Sequence, residues 1–128
     1  MMQDYLLVCV LLVFIDSFYL YNIGPFFNRQ IQKIQKEKLV LNPWSTVLCY
    51  MILTFGVFYA IEIKKLSLTE MFGLGIFVYG VYETTNHAIF KKWDWTTVAI
   101  DGIWGGILFT LVAIFYHKAK SLIKLKRF

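Results

Sequence analysis

Asp16, Glu83, Asn86 and Asp101 each stand inside a long apolar run, and they are the side chains with the most chemical capacity in this sequence. Ionisable groups in hydrocarbon are expensive to bury, so where they occur they mark ion pathways, proton relays or bonds between helices. Carboxyl groups sharing one low-dielectric layer cannot all stay ionised without cations, because like charges and desolvation both favour the protonated form. At least one is therefore expected to carry a proton near neutral pH, and the chemistry this implies is proton relay or cation binding. Read as packing groups, the same side chains would join helices at about 0.6 kcal/mol per contact. Asn86 fits that second reading best, since an amide cannot carry a proton.

Other chemistries have little to stand on. The sequence contains no Gly-x-Ser-x-Gly, phosphate-binding glycine loop, His-Glu-x-x-His or dinucleotide fingerprint. Ser17, Ser45, Ser67 and Ser121 have no base at motif spacing, and His87 and His117 have no ligand-spaced partners, so no cofactor and no metal is expected. Cys9 and Cys49 fall in apolar runs without Cys-x-x-Cys spacing and read as small buried hydrophobes. His87, just before Lys91 and Lys92, reads as an interfacial histidine.

The elements that must hold these groups follow from composition. Of 128 residues, 59% are hydrophobic and 16% charged, more apolar surface than a soluble domain of this length can bury. Backbone in hydrocarbon must satisfy itself, and unbroken apolar runs without alternation select helices over a barrel. The expected architecture is an all-α, integral membrane four-helix bundle forming a single domain over residues 1–128. Its spans run from about Tyr5 to Ile23, Trp44 to Ile63, Leu68 to Phe90 and Thr96 to Tyr116, each near the ~20 residues that cross a ~30 Å core. The first run has no basic leader and no small-residue cleavage site after it, so it is expected to remain as the first span. Gly24 and Pro25 are expected to end the first helix, and Asn42-Pro43 to open the second.

Between those breaks, residues 26–41 set Ile31, Ile34 and Leu41 among Arg29, Lys33, Lys36 and Lys38, which suits either a short helix on the headgroups or a basic solvated loop. The tail from His117 to Phe128 interleaves Leu122, Ile123 and Leu125 with Lys118, Lys120, Lys124, Lys126 and Arg127, a membrane-surface pattern suited to anionic lipid. Trp44, Trp93, Trp95 and Tyr116 read as interface anchors. With a net charge of +5 and 19% aromatic residues, the balance suits basic flanks and aromatic belts, with membrane lipids as partners and no nucleic acid. Lys64, Lys65 and the tail cations on the terminal side nearly balance Arg29, Lys33, Lys36, Lys38, Lys91 and Lys92 on the other, with a slight excess favouring cytoplasmic termini. No internal repeat or low-complexity stretch is present.

Depth and face bring the polar groups together. At ~1.5 Å per residue, Asp16 and Glu83 lie roughly 10 Å from the ends of their spans and Asp101 roughly 8 Å from the start of its own, which places all three in one layer. Tyr79, Glu83, Asn86 and Phe90 share one helical stripe, and Asp101 shares a face with Gly105. Gly102 and Gly106 form a small-xxx-small pair beside the acid that lets a neighbouring helix approach. Tyr50 reaches a comparable depth in the second span and can donate to a carboxylate, and Trp104 lies one turn from Asp101, facing either the cluster or lipid.

The stretch from Tyr79 through Glu83, Thr85, Asn86 and Ala88, continued by Lys92-Trp93 and Asp101-Gly102-Ile103-Trp104-Gly105, resembles a family of small, mainly bacterial four-span membrane proteins. The family pattern is a tyrosine and an acid before Thr-Asn-x-Ala, a lysine and tryptophan at the third connection, and Asp-x-x-Trp-Gly in the last span. Tyr82, Thr85, Asn86, Ala88, Lys92, Trp93, Asp101, Trp104 and Gly105 match it, as does Asp16. Glu83 stands where aspartate is commoner, His87 where an apolar residue is usual, and Asp94 where proline often follows the tryptophan. The resemblance implies a four-helix membrane protein and brings no activity, cofactor or catalytic residue.

The candidate cluster is thus Asp16, Tyr50, Glu83, Thr85, Asn86, Asp101 and Trp104, with Gly102, Gly105 and Gly106 as packing positions. It supports three functional readings. The first is a proton- or cation-coupled channel or transporter subunit, in which four short helices enclose so little volume that a pathway calls for a homo-oligomer. The second is a non-catalytic membrane scaffold or lipid- or partner-binding module. The third is an intramembrane enzyme acting on a lipid through one acid as general acid and another as charge stabiliser.

Overall fold

The computed structural model describes residues 1–37 and 39–126, with positions 125 and 126 described in backbone only. The expectations for Lys38 and Arg127, and for the side chains of Leu125 and Lys126, lie outside the described residues. Four α-helices follow in chain order, and no strand occurs among the described residues: α1 (Met2–Gln35), α2 (Pro43–Phe58), α3 (Leu68–Ile89) and α4 (Trp95–Lys126). In space α2 packs on α1, α1 on α4, and α4 most extensively on α3.

Local sequence accounts for the helix starts. Pro43 opens α2 where its missing N–H is harmless, and the Asn42 side chain accepts from the N–H groups of Trp44 at 3.0 Å and Ser45 at 3.1 Å. At the head of α3, Ser67 and Glu70 form a reciprocal capping box, with the Glu70 N–H donating to Ser67 Oγ at 3.2 Å. The last turn of α2 widens into a π-helical turn over Tyr59–Ile63, and Lys65 follows in the left-handed region at φ 54°.

Gly24 and Pro25 do not end α1, contrary to expectation; the helix runs on to Gln35 with Pro25 inside it. Proline forfeits one backbone bond, to the carbonyl of Tyr21. Tertiary contact offsets that loss, because Gln30, far from α4 in sequence, is 3% exposed and ties the extension to the α3–α4 connection through its side chain. Its amide donates to the Lys92 carbonyl, and its Oε1 accepts from Thr97 Oγ1 at 2.9 Å and the Asp94 N–H at 3.2 Å. The basic tail is likewise helical through Lys126 as a continuation of α4, so in place of separate short helices the structure has extensions of α1, ending at Gln35, and of α4.

Among the described residues three helices are long and apolar enough to cross a membrane: Met2–Gln35, Pro43–Ile63 and Trp95–Lys124. With 22 residues α3 has the length, but Glu70, Glu83, Thr84, Thr85, Asn86 and His87 make it less apolar than the others. Val8, Leu12, Val57, Ile61, Met71, Leu108 and Val112 form the buried core. Phe14, Phe18, Ile52, Phe55 and Phe77 lie on the outside, mostly exposed, an arrangement that suits hydrocarbon as the surrounding solvent.

Candidate functional site

The site is assembled at a close crossing of α3 and α4. A Cβ placed on Gly105 would meet the Gly75 carbonyl oxygen at 2.5 Å and the Tyr79 ring at 2.5 Å, and one on Gly75 would collide with the Gly105 backbone. Only glycine lets these backbones touch. A Cβ on Gly106 would press on Phe72 and Ile76 at 2.9 and 2.8 Å, whereas one on Gly102 would meet nothing within 4 Å. The packing therefore uses Gly105 and Gly106 against Gly75, and a Cβ on Gly102 would stand in open space.

That crossing carries Glu83 and Asp101 inward. Glu83 is 0% exposed and accepts from the Trp93 indole N–H at 2.7 Å. Its other oxygen, Oε1, finds no donor among the described residues, and the Glu83 and Asp101 carboxyl groups lie within hydrogen-bonding reach of each other. Two carboxyl groups can bond each other only by holding a proton between them, since ionised oxygens solely accept. Without that proton Glu83 Oε1 is a buried orphan acceptor, a condition that costs about 1–3 kcal/mol or more for a charged group.

Asp16 and Asp101 are tied by a reciprocal arrangement across α1 and α4. Asp16 Oδ1 accepts from the Trp104 indole N–H at 2.9 Å, while Asp101 Oδ1 accepts from the Tyr19 hydroxyl at 3.2 Å. Each helix thus offers an aspartate and, three residues later on the same face, an aromatic donor for the other helix's aspartate. The two aromatic rings stack at 4.2 Å between centroids and 8° between planes. Tyr50 of α2 donates to Asp16 Oδ2 at 2.5 Å, so both oxygens of that carboxylate are satisfied. Asp16 is also near enough for its charge to act on Asp101.

Of the candidates, the structure therefore brings together Asp16, Tyr50, Glu83, Asp101 and Trp104. Thr85 is exposed and donates back to the Val81 carbonyl of its own helix at 2.6 Å. Asn86 is half-buried, and its side chain bonds nothing among the described residues. Trp93 and Tyr116, expected as interface anchors, are 6% and 1% exposed and serve as donors to Glu83 and Glu62. Trp44 and Trp95 do stand exposed, and His87 lies against the Trp95 ring at 3.9 Å. Cys49 faces outward, and both thiols are free.

Tyr19, Trp93, Gln30 and Gly75 are the site and support residues that sequence reasoning missed. Tyr19 had a signal, its i+3 spacing from Asp16 repeating that of Asp101 and Trp104. Trp93 had a weaker one, its place in the family pattern. No lysine or arginine pairs with Asp16, Glu83 or Asp101 among the described residues; the ion pairs there involve Asp4 and Glu62. Nor do three His, Cys, Asp or Glu side chains converge among the described residues in a way that could hold a metal ion. The site is a set of carboxyls lined by neutral aromatic donors.

No curated protein and no solved structure matches the chain. A family described as "Predicted membrane protein (DUF2177)" matches residues 1–117, which takes in α1, α2, α3, the larger part of α4 and every residue of the carboxyl site. With its long apolar helices and outward-facing apolar surface, the chain is an integral, multi-pass membrane protein and belongs to that family.

Proposed function

We propose that the protein is a proton-coupled channel or transporter subunit in which Glu83 and Asp101 exchange a shared proton and Asp16 biases it electrostatically. The observation that carries this reading is a buried Glu83 carboxyl that keeps one oxygen without a donor among the described residues and lies within reach of a second carboxyl, that of Asp101. A proton fits the site better than a multivalent cation, because no third ligating group converges there among the described residues. In this reading α3 is the fourth crossing, which puts the pair away from bulk water on both sides. Tyr19 and Trp93 orient the two carboxyls, and a second copy of the chain completes the pathway that four helices are too few to enclose.

The test is proton flux into liposomes carrying the purified protein under an imposed pH gradient. Flux above that of protein-free liposomes, abolished by Glu83→Gln and Asp101→Asn, is the expected result. Wild-type flux equal to that of empty liposomes overturns the proposal.

A second reading has one specific observation in its favour. Asp16 is fully satisfied by Tyr50 and Trp104, as an interhelical adhesive would be. A scaffold function predicts that Asp16→Asn and Glu83→Gln weaken the bundle without any flux to lose.

A further inference from the structure

At the end of the bundle away from the termini, α1 projects past its apolar run and lies against the α3–α4 connection. A cleft of about 240 Å³ opens there, lined by Phe26, Arg29, Gln30, Lys33 and Asp94. Lys33 is shared with an adjoining cleft of about 200 Å³ that adds Lys91 and Lys92. We propose that the Arg29–Lys33 cleft binds the phosphodiester headgroup of an anionic glycerophospholipid bearing hydroxyl groups, such as phosphatidylglycerol.

Four features support that ligand. First, the cations are uncommitted: the ion pairs among the described residues involve Asp4 and Glu62, at the other end, and none involves Arg29, Lys33, Lys91 or Lys92. Second, the cleft sits at headgroup height. Trp44 and Trp95 open α2 and α4 on this same side and are 83% and 66% exposed, as interfacial tryptophans are.

Third, the charge fits. Arg29 and Lys33 outnumber Asp94 in the cleft, and Lys91 and Lys92 stand in the adjoining one, so the surroundings are net positive and suit the anionic phosphodiester. The planar guanidinium of arginine grips two phosphate oxygens at once, and a carboxylate beside it accepts from a headgroup hydroxyl. Phe26 in the same cleft, and Ile34 and Phe90 in the adjoining one, give the glycerol and first acyl carbons an apolar wall. Fourth, the frame is fixed before binding. The three hydrogen bonds of Gln30 lock α1 to the connection that carries Asp94, so little order has to be gained with the ligand.

The inference does not rest on the proton reading, and its test reads lipid preference, not flux. The full chain, purified in detergent, is titrated separately with phosphatidylglycerol, phosphatidylcholine and inorganic phosphate. Thermal stability and lipid retention in native mass spectrometry are followed. The expected result is half-maximal stabilisation by phosphatidylglycerol at a concentration at least about tenfold below that for phosphatidylcholine. The Arg29→Gln/Lys33→Gln variant should erase that preference while melting normally without lipid, and Lys118→Gln/Lys124→Gln, at the opposite end, should retain it. Equal stabilisation by the two lipids overturns the proposal, as does a preference surviving in the Arg29/Lys33 variant or lost in the tail variant. Inorganic phosphate alone reproducing the full effect also overturns it, by assigning the cleft to a free anion.

Discussion

Near the termini, Asp4 bonds Lys120 at 2.6 Å, and Glu62 accepts from Lys65 at 3.2 Å and from the Tyr116 hydroxyl at 2.5 Å. In the middle of the bundle Asp16, Glu83 and Asp101 have tyrosine and tryptophan donors and, among the described residues, no lysine or arginine. Both sets of acids accept hydrogen bonds, but the middle set keeps a buried oxygen, Glu83 Oε1, without a donor among the described residues, and only the set near the termini has its charge met. A lysine cancels a carboxylate for as long as the pair is intact. A neutral O–H or N–H satisfies the oxygen and leaves the charge in place, so something mobile has to settle the account of charge in the middle layer, and a proton is the smallest such species. Carboxylates at the termini are thereby fixed as structure, while those in the middle are left free to change state.

The largest effect on this contrast should come from Gly75→Val. The new side chain would meet the Gly105 backbone, which cannot move aside as a flexible side chain would, so the cost should reach about 3 kcal/mol, the upper end for overpacking. Glu83 would be driven away from Asp101, whereas the Asp4–Lys120 pair, held by α1 and α4, would stay. Thermal unfolding in detergent should show the drop, and flux should vanish with it. Retained flux would mean that contact between the two carboxyls is dispensable.

Smaller losses are expected from Tyr50→Phe and Trp104→Phe, each of which removes one of the two donors to Asp16. Each should cost about 1–3 kcal/mol, the range for stranding a buried acceptor. The double variant should depart from the sum of the two because both act on one carboxylate. Strict additivity in a double-mutant cycle would show that the two donors do not act through Asp16 together.

Much of this arrangement was legible in the sequence because apolar run length and polar depth obey simple geometry. The helical class followed from hydrocarbon's inability to bond backbone, and the meeting of Asp16, Glu83 and Asp101 from the fixed rise per residue. Side-chain direction was harder to read. Thr85 and Asn86 looked like members of the cluster from neighbouring positions, but Thr85 points out of the site and Asn86 sits half-buried in the last turn of α3. Pro25 was read by its local propensity to stop a helix, and Gln30, distant in sequence from its partners Lys92, Asp94 and Thr97, overrides that propensity. A lone glutamine among basic residues gives no hint of such partners. Gly102 and Gly106 satisfied the small-xxx-small pattern, but which glycines touch depends on the rotation of α4 against α3, and that is set by Gly75 on the facing helix.

The smallest effect separates the two kinds of acid most sharply, because it makes the same isosteric change in both places. Asp4→Asn removes the charge that Lys120 pairs with, at a site where Asp4 and Lys120 keep 19% and 35% of their side-chain surface exposed. Solvent weakens such a pair, so the loss should be only about 0.5 kcal/mol and should shrink as salt is raised. Glu83→Gln makes the opposite exchange: its amide N–H can donate to Asp101 while the amide oxygen still accepts from Trp93, so the contact no longer needs a proton. Its stability in detergent should equal or slightly exceed that of wild type and be insensitive to salt, while flux is lost. If both substitutions instead lowered stability by the same amount with the same salt dependence, the middle carboxyls would be behaving as ordinary charge-paired groups. Flux lost at undiminished stability is therefore the discriminating result, because the amide keeps the contacts to Asp101 and Trp93 and removes only the exchangeable proton.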